Sequence, residues 1–282
     1  MIEITNLHFH YQKGKPLIEK LTTTLESGQV YGLVGLNGVG KTTLLKLIAG
    51  LVFPKSGTVE VNKHSPRHRH IELLSDLYFL SDEVDLPNWK IKNIGSIYGP
   101  LYPNFDESYF HKILSDFDVD RQANIKDLSY GQRKKVNIAF ALATNVNLIL
   151  MDEPTNGLDI PSKAQFRKIL AQQITEDKII IISTHQIRDI HLLIDHLLVL
   201  QEQRFIVDES IYNLSKMLKT TGGKSDEALC TEGGLLGEQS IVPNTAQEDG
   251  PFDIELFFNA LQSNDNTLNY ISNLKDTSHA TN

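Results

Sequence analysis

Residues 35–42 read Gly-Leu-Asn-Gly-Val-Gly-Lys-Thr, and no other stretch restricts what this chain can fold into as strongly. The octet fits Gly-x-x-x-x-Gly-Lys-Thr. Val30, Tyr31, Leu33 and Val34 precede it as a buried strand, and Leu44, Leu45, Leu47 and Ile48 follow at helical spacing. A strand–loop–helix context of this kind makes the pattern a nucleotide-binding signal. Gly35, Gly38 and Gly40 let the backbone curl so that successive N–H groups face phosphate oxygens. The helix beginning near Lys41 aims its positive end at the same point. Lys41 is expected to reach the β- and γ-phosphates and the Thr42 hydroxyl to hold Mg²⁺. Asn37, Val39 and Thr43 complete the expected phosphate cradle.

A second apolar strand, Leu148–Met151, ends in two carboxylates, Asp152 and Glu153. Continuous apolar runs are buried on both faces of a parallel sheet, and such sheets bind ligands at their strand ends. Asp152 is therefore expected opposite Thr42 as a metal partner. Glu153, one residue further, is placed to polarise an attacking water as general base. Without the phosphate loop the same pair would be an acidic surface turn.

Leu128-Ser-Tyr-Gly-Gln132 opens another helix, with Ser129 and Gln132 forming a Ser-x-x-Gln capping box. A plain helix start is one reading. The capped terminus, with Gly131 beside it, also exposes N–H donors suited to a second anion. A γ-phosphate supplied by another molecule would satisfy it.

Together these elements resemble the ATP-binding cassette (ABC) ATPase family, with the likeness covering about residues 1–207. Gly35–Thr42 resembles its phosphate loop, Leu128–Gln132 its signature motif and Leu148–Glu153 its metal-binding strand. Pro154–Asp159 resembles the loop in which an aspartate, here Asp159, communicates between paired sites. Ser183-Thr-His185 resembles the segment whose histidine contacts the γ-phosphate, and Tyr11 stands where the family stacks an aromatic on adenine. Two departures stand out. The family signature usually reads Leu-Ser-Gly-Gly-Gln, and Tyr130 replaces its first glycine, leaving Ser129 and Gly131 for phosphate. After strand Leu77–Leu80 the family commonly places a glutamine that senses Mg²⁺; Ser81-Asp82-Glu83 stands here, with Asp82 at the metal-facing position. Tyr102-Pro-Asn-Phe-Asp106 resembles ATPase subunits of bacterial exporters of the bacitracin-efflux kind.

The resemblance implies an α/β fold: a P-loop NTPase (RecA-like) core with an antiparallel β edge and an inserted helical subdomain at about 88–145. It implies ATP and Mg²⁺ as ligands, and ATP hydrolysis using Glu153 and His185. It also implies head-to-tail pairing, as a homodimer or with a second ABC ATPase, beneath a separate transmembrane permease. The rival is a soluble cassette ATPase without a permease, for example of the cluster-assembly type.

The rest of the chain narrows the partners. A net charge of −8 over 282 residues argues against nucleic acid as the main partner. No apolar run approaches the roughly 18–20 residues that span a bilayer, and Met1–Asn6 lacks the features of a secretion signal. The single cysteine, Cys230, forms no intrachain disulfide, in keeping with a reducing cytoplasm. A peripheral position on the cytoplasmic face of the membrane is expected. A helix is expected through Ile187, Ile190 and Leu193, then a hairpin from His196–Leu200 and Arg204–Val207. Arg133-Lys134-Lys135 reads as a solvated face, or as a contact for an acidic loop of a partner. His64, His68 and His70, among arginines and without an acid, read as a solvated loop.

Residues 208–282 form an expected C-terminal extension, partly disordered, with loop-like stretches at Thr220–Asp226 and Gly233–Glu238. Its one amphipathic helix carries Ile254, Phe257, Phe258 and Leu261, with Asp253 as cap. Such a short helix needs a surface to bury against. The same chain, a second protomer and the permease are the candidates, with the second protomer ranked first.

Overall fold

Apolar residues alternate along the first strand only as far as Ile4, yet Leu7 and Phe9 are buried on the same side as Ile2 and Ile4. The extra residue is absorbed at Asn6, whose φ of 47° marks a bulge where the register shifts between Ile4 and Leu7. Gly57 makes the bulge possible, because any Cβ there would collide with the Asn6 carbonyl. The computed structural model of the chain describes residues 1–234, 237–246, 250–263 and 266–271.

In chain order the strands and helices begin β1 (Ile2–Phe9), β2 (Ile18–Leu25), β3 (Gln29–Val34), α1 (Lys41–Ile48), β4 (Ser56–Val61), α2 (Ile71–Leu74) and β5 (Leu77–Leu80). Three helices follow: α3 (Ile91–Tyr98), α4 (Glu107–Asp116) and α5 (Tyr130–Ala143). Then come β6 (Leu148–Asp152), α6 (Ile160–Ala171), β7 (Ile179–Thr184), β8 (His196–Gln201), β9 (Arg204–Ser210), α7 (Ile211–Met217), β10 (Leu218–Gly222), β11 (Cys230–Gly234), β12 (Gly237–Pro243) and α8 (Ile254–Ser263). Contacts divide the chain into two units, residues 1–194 with 198–208, and residues 195–197 with 209–282.

In the first unit, β2, β1 and β4 make a small antiparallel sheet. A six-stranded sheet runs β5-β6-β7-β3-β8-β9, with β5, β6, β7 and β3 parallel. Every residue of β6 and β7 is buried, as a sheet covered on both faces requires. This arrangement is the expected α/β P-loop core with its antiparallel edge. The order matters for function, because β7 lies between β6 and β3. It brings the ends of three strands, at Asp152, Ser183 and Val34, into one neighbourhood. β8 and β9 meet through Glu202 and Gln203, both at positive φ, a turn that matches strand twist.

Helices α3, α4 and α5 are inserted between β5 and β6 and pack on one another. Phe140 is the centre of that packing, with Tyr78, Tyr98, Tyr102, Phe105 and Phe110 rings at 5.2–6.4 Å. Asp106 caps α4 by accepting from the Tyr109 N–H at 2.8 Å.

The helix expected through residues 187–193 is only a three-residue 3₁₀ turn, Ile187–Asp189. Asp189 is drawn away from a helical face: it takes Lys163 Nζ at 2.6 Å and Thr155 Oγ1 at 2.8 Å. Those tertiary bonds outweigh the weak propensity of so short a segment.

In the second unit, parts of the stretches expected to be loop-like, at 220–222, 233–234 and 237–238, pair in a three-stranded antiparallel sheet, β10-β12-β11, while 223–226 lie in no strand. Leu235 and Leu236, within one of those stretches, lie outside the described residues, as do 247–249 and the end of the polar tail at 272–282. The central strand holds the apolar pair Ile241 and Val242, and Ser240 Oγ donates to Gly223 O at 2.8 Å. Helix α8 forms as expected, with Asp253 Oδ1 accepting from Glu255 N and Leu256 N at 2.9 and 3.0 Å. Its placement corrects the expected docking on a second protomer. Ile254, Phe257, Phe258 and Leu261 are already buried in the single chain, and α8 packs against β11.

Phe257 is fully buried, so Phe257→Ala is expected to cost about 3–5 kcal/mol in denaturant unfolding. The control Leu192→Ala, at a side chain 76% exposed, should stay within about 0.5 kcal/mol.

Candidate active site

The phosphate loop leaves β3 at Gly35 and enters α1 at Lys41. Gly35 has no room for a side chain, since a Cβ would stand 2.5 Å from Leu200 O. Gly38 differs: the space around it is open, and its φ of 83° is what calls for glycine at the crest of the loop. It lies in the turn between β3 and α1, as expected of a member of the phosphate cradle. Gly40 precedes α1 at φ 113° and provides no side-chain cap, so the first N–H groups of the helix remain available to a ligand. Leu36 and Asn37 are exposed at the rim, while Val39 packs against the core. Lys41 is 6% exposed and folds back on the loop, donating to Gly35 O at 2.7 Å and Leu36 O at 3.1 Å. Burial pushes its pKa down, and the negative charges of Glu153 and Asp152 pull it back up.

Thr42 Oγ1 donates to Asp152 Oδ2 at 2.7 Å, joining the loop to the end of β6. The other carboxylate oxygen, Oδ1, accepts a short bond from Ser183 Oγ on β7. Ser183 therefore belongs to the site, a role sequence reasoning missed when it assigned the segment to His185. Its signal was visible as the first polar residue after four isoleucines in β7.

Glu153 stands just beyond β6 at φ 45°, a left-handed conformation costing a glutamate roughly 1–2 kcal/mol. Its N–H donates to Ser183 O at 3.1 Å, and its Oε1 lies 2.9 Å from His185 Nδ1. The neutral imidazole with its proton on Nδ1 satisfies both neighbours: Nδ1 donates to Glu153, and Nε2 accepts from the Gln186 amide at 3.1 Å. The strained backbone is thus fixed by its surroundings, as residues with a defined orientation require.

Tyr11 is 63% exposed and its hydroxyl lies 3.3 Å from Thr43 Oγ1, which brings the ring beside the start of α1. The ring stands perpendicular to that of Phe9, with centres 4.9 Å apart. Asp159 is exposed and caps α6 by accepting from Ser162 N at 2.9 Å; that bonding holds its carboxyl below the usual range.

Ser129 and Gln132 form the full capping box, at 3.2 and 3.0 Å. Ser129 is exposed, and its bonds go to Gln132 and Arg133 rather than to the phosphate loop of its own chain. The structure therefore brings together Tyr11, residues 35–43, Asp152, Glu153 and His185, but leaves Ser129, Gly131, Gln132 and Asp159 on other surface elements.

One expectation about charge needs correction, and a second position shows a bond the sequence did not reveal. Lys134 is not part of a solvated face: it has 0% exposure and binds Asp82 Oδ1 at 3.0 Å. Four residues before Ile138 and seven before Ala141, both fully buried, it lies on the inward stripe of α5. Asp82 bonds Lys134, Tyr130 and Asn156, and neither Thr42 nor Asp152 is among its partners. Its Oδ1 is paired with a cation of the same chain.

The donors at Thr42 and Asp152 are oxygens only, one hydroxyl and one carboxylate, a set that suits Mg²⁺ completed by phosphate oxygens and water. The glycine-lined loop and Lys41 fit a polyphosphate equally well. Glu153 has the chemistry of a base, and His185 Nδ1 lies where it can orient that carboxylate.

Comparison with known proteins agrees with this geometry. The protein-family profile described as ABC transporter matches residues 18–156. The chain is 32% identical over 235 residues to an energy-coupling factor transporter ATP-binding protein of Staphylococcus aureus (strain MRSA252), covering 77% of this chain and 82% of that protein. It is 27% identical over 238 residues to the ABC transporter ATP-binding protein YtrB of Bacillus subtilis (strain 168), covering 82% and 78%. Among solved structures, an ATP-binding cassette described as a dimer in a post-hydrolysis state, bound to ADP and Pi, aligns with a TM-score of 0.67 at 22% identity. That alignment covers 75% of this chain and 99% of the other, and it shows a shared fold.

Ser183→Ala removes one of the two hydroxyl donors on the buried Asp152 carboxylate. The expected loss is about 1.5–3 kcal/mol in denaturant unfolding, and no loss would exclude the bond.

Proposed function

The chain belongs to the ATP-binding subunits of ABC transporters, which hydrolyse ATP, and from that premise we propose that two copies close head to tail around two ATP molecules to drive a separate membrane permease. The observation that carries this reading is the division of the site. The loop, Asp152, Glu153 and His185 form one cluster, while Ser129 at the helix start is exposed and its side chain bonds within its own capping box. Each copy then supplies a phosphate loop to one ATP and a Ser129 start to the other.

Within one site, the loop N–H groups and Lys41 take the phosphates, with Lys41 exchanging its two carbonyl acceptors for phosphate oxygens. Tyr11 offers its exposed ring to the adenine. Thr42 and Asp152 would hold Mg²⁺, which supplies neutralisation of phosphate charge when bound. Glu153 accepts a proton from water as the water oxygen bonds to the γ-phosphorus and the bond to ADP breaks. His185 holds the Glu153 carboxylate in place through Nδ1. Closure on ATP and reopening after hydrolysis form a two-state element biased by the γ-phosphate.

The permease reading is supported by a cavity of about 390 Å³ at the root of the helical insertion. Tyr78, Tyr102 and Phe140 give it an aromatic floor, and Glu83 and Asp85 an acidic rim, a chemistry that fits an apolar segment flanked by basic residues. Among the described residues no helix is long and apolar enough to cross a membrane. A position on the cytoplasmic face, held by the permease, follows from this reading. The segment Tyr102–Asp106 supports export as the direction.

Glu153→Gln is expected to keep ATP binding and slow turnover by roughly 10²–10⁴, whereas Lys41→Ala should weaken ATP binding itself. Steady-state phosphate release together with equilibrium nucleotide binding reads both effects. Near wild-type turnover in Glu153→Gln would remove it as the base.

A further inference from the structure

Asp82 is a joint between three segments. Lys134 Nζ donates to its carbonyl at 3.1 Å and to its Oδ1 at 3.0 Å. One helical turn earlier, Tyr130 OH donates to the same carbonyl at 2.9 Å, with Oδ1 3.4 Å away. Asn156 Nδ2 reaches Oδ1 at 3.5 Å from the turn between Glu153 and Asp159. Steric contacts close the same joint. A Cβ on Gly157 would stand 2.6 Å from Tyr130 Cε1, and one on Gly131 would stand 2.8 Å from Gly157 O. The two positions that depart from the family pattern, 82 and 130, thus touch each other. A lysine with no exposure keeps its charge only while paired, so this ion pair constrains where α5 begins.

None of these bonds runs to Lys41, Thr42 or Asp152, which are tied to one another and to the phosphate loop. The joint therefore makes no hydrogen bond to its own phosphate loop, though Lys134 feels the charges of Asp152 and Glu153, and it fixes the exposed Ser129 start on the same helix. We propose that Tyr130 and Lys134 are positioning residues that act on the nucleotide held by the other copy: through Asp82 and Gly157 they hold the Ser129 start in register with the 153–159 turn. This rests on the shared-site reading above and adds which residues set that site's geometry.

The test uses full-length chains. Lys134→Met keeps the length of the side chain and removes its charge. Alone, it should leave the ATP affinity of the monomer unchanged and lower turnover roughly 10- to 100-fold, the usual effect of misplacing a catalytic element by about 1 Å. Mixing Lys134→Met chains with Lys41→Ala chains then decides the direction of action. If Lys134 serves the other copy, both defects gather in one shared site and the second is whole, so one ATP per mixed dimer is cleaved at the wild-type single-turnover rate. If it serves its own chain, each site carries one defect and no ATP is cleaved at that rate, which overturns the proposal. Lys41→Ala mixed with Ser129→Arg is the control. Wild-type single turnover in the control but not with Lys134→Met refutes this inference alone, and its absence in both refutes the shared site together with it. Tyr130→Phe keeps the ring over Gly157 and drops only the hydroxyl, and it makes the same assignment where Lys134→Met fails to fold.

Discussion

The carboxylate of Asp152 is the constraint on which the rest of the site depends. It is 3% exposed and takes a hydroxyl on each oxygen, from Thr42 on one side and Ser183 on the other. A buried charge is tolerable only when its oxygens are satisfied. Here the satisfaction comes from the starts and ends of separate elements, α1, β6 and β7. The sheet order β6-β7-β3 is what allows it, since any other neighbour for β7 would separate the phosphate loop from the acids.

The position of Glu153 follows from the same geometry. With Asp152 fixed at the end of β6, the next residue must turn out of the sheet, and it does so at φ 45°. The Ser183 carbonyl and the His185 ring hold that turn. Ser183 thus bonds Asp152 through its hydroxyl and Glu153 through its carbonyl. One residue of β7 orients both acids.

Features governed by local pattern were legible in the sequence. The glycine spacing of the phosphate loop, the apolar run of β6 and the Ser129–Gln132 cap each carry their reason within a few residues. Features governed by distant partners were not. Lys134 reads as a surface charge until Asp82, 52 positions away, appears beside it. Residues 220–222 read as part of a loop because Thr and Gly carry little apolar signal, and the sheet they join has Ile241 and Val242 on the neighbouring strand. Helix α8 was legible as an amphipathic face, but periodicity names a face without naming what covers it. The segment 187–193 failed for the opposite reason, since its apolar spacing was real and the bonds of Asp189 decided its backbone.

What remains open at the surface is half of a site: a complete phosphate loop with its acids, and, elsewhere, a capped helix start whose Ser129 is exposed. On the proposed function, two such halves complete each other across two copies. The most direct measurement is the solution mass and nucleotide content of the Glu153→Gln chain with and without MgATP. The account predicts one chain without nucleotide, and two chains carrying two ATP with it. A species of one chain that retains ATP at saturating concentration would contradict it.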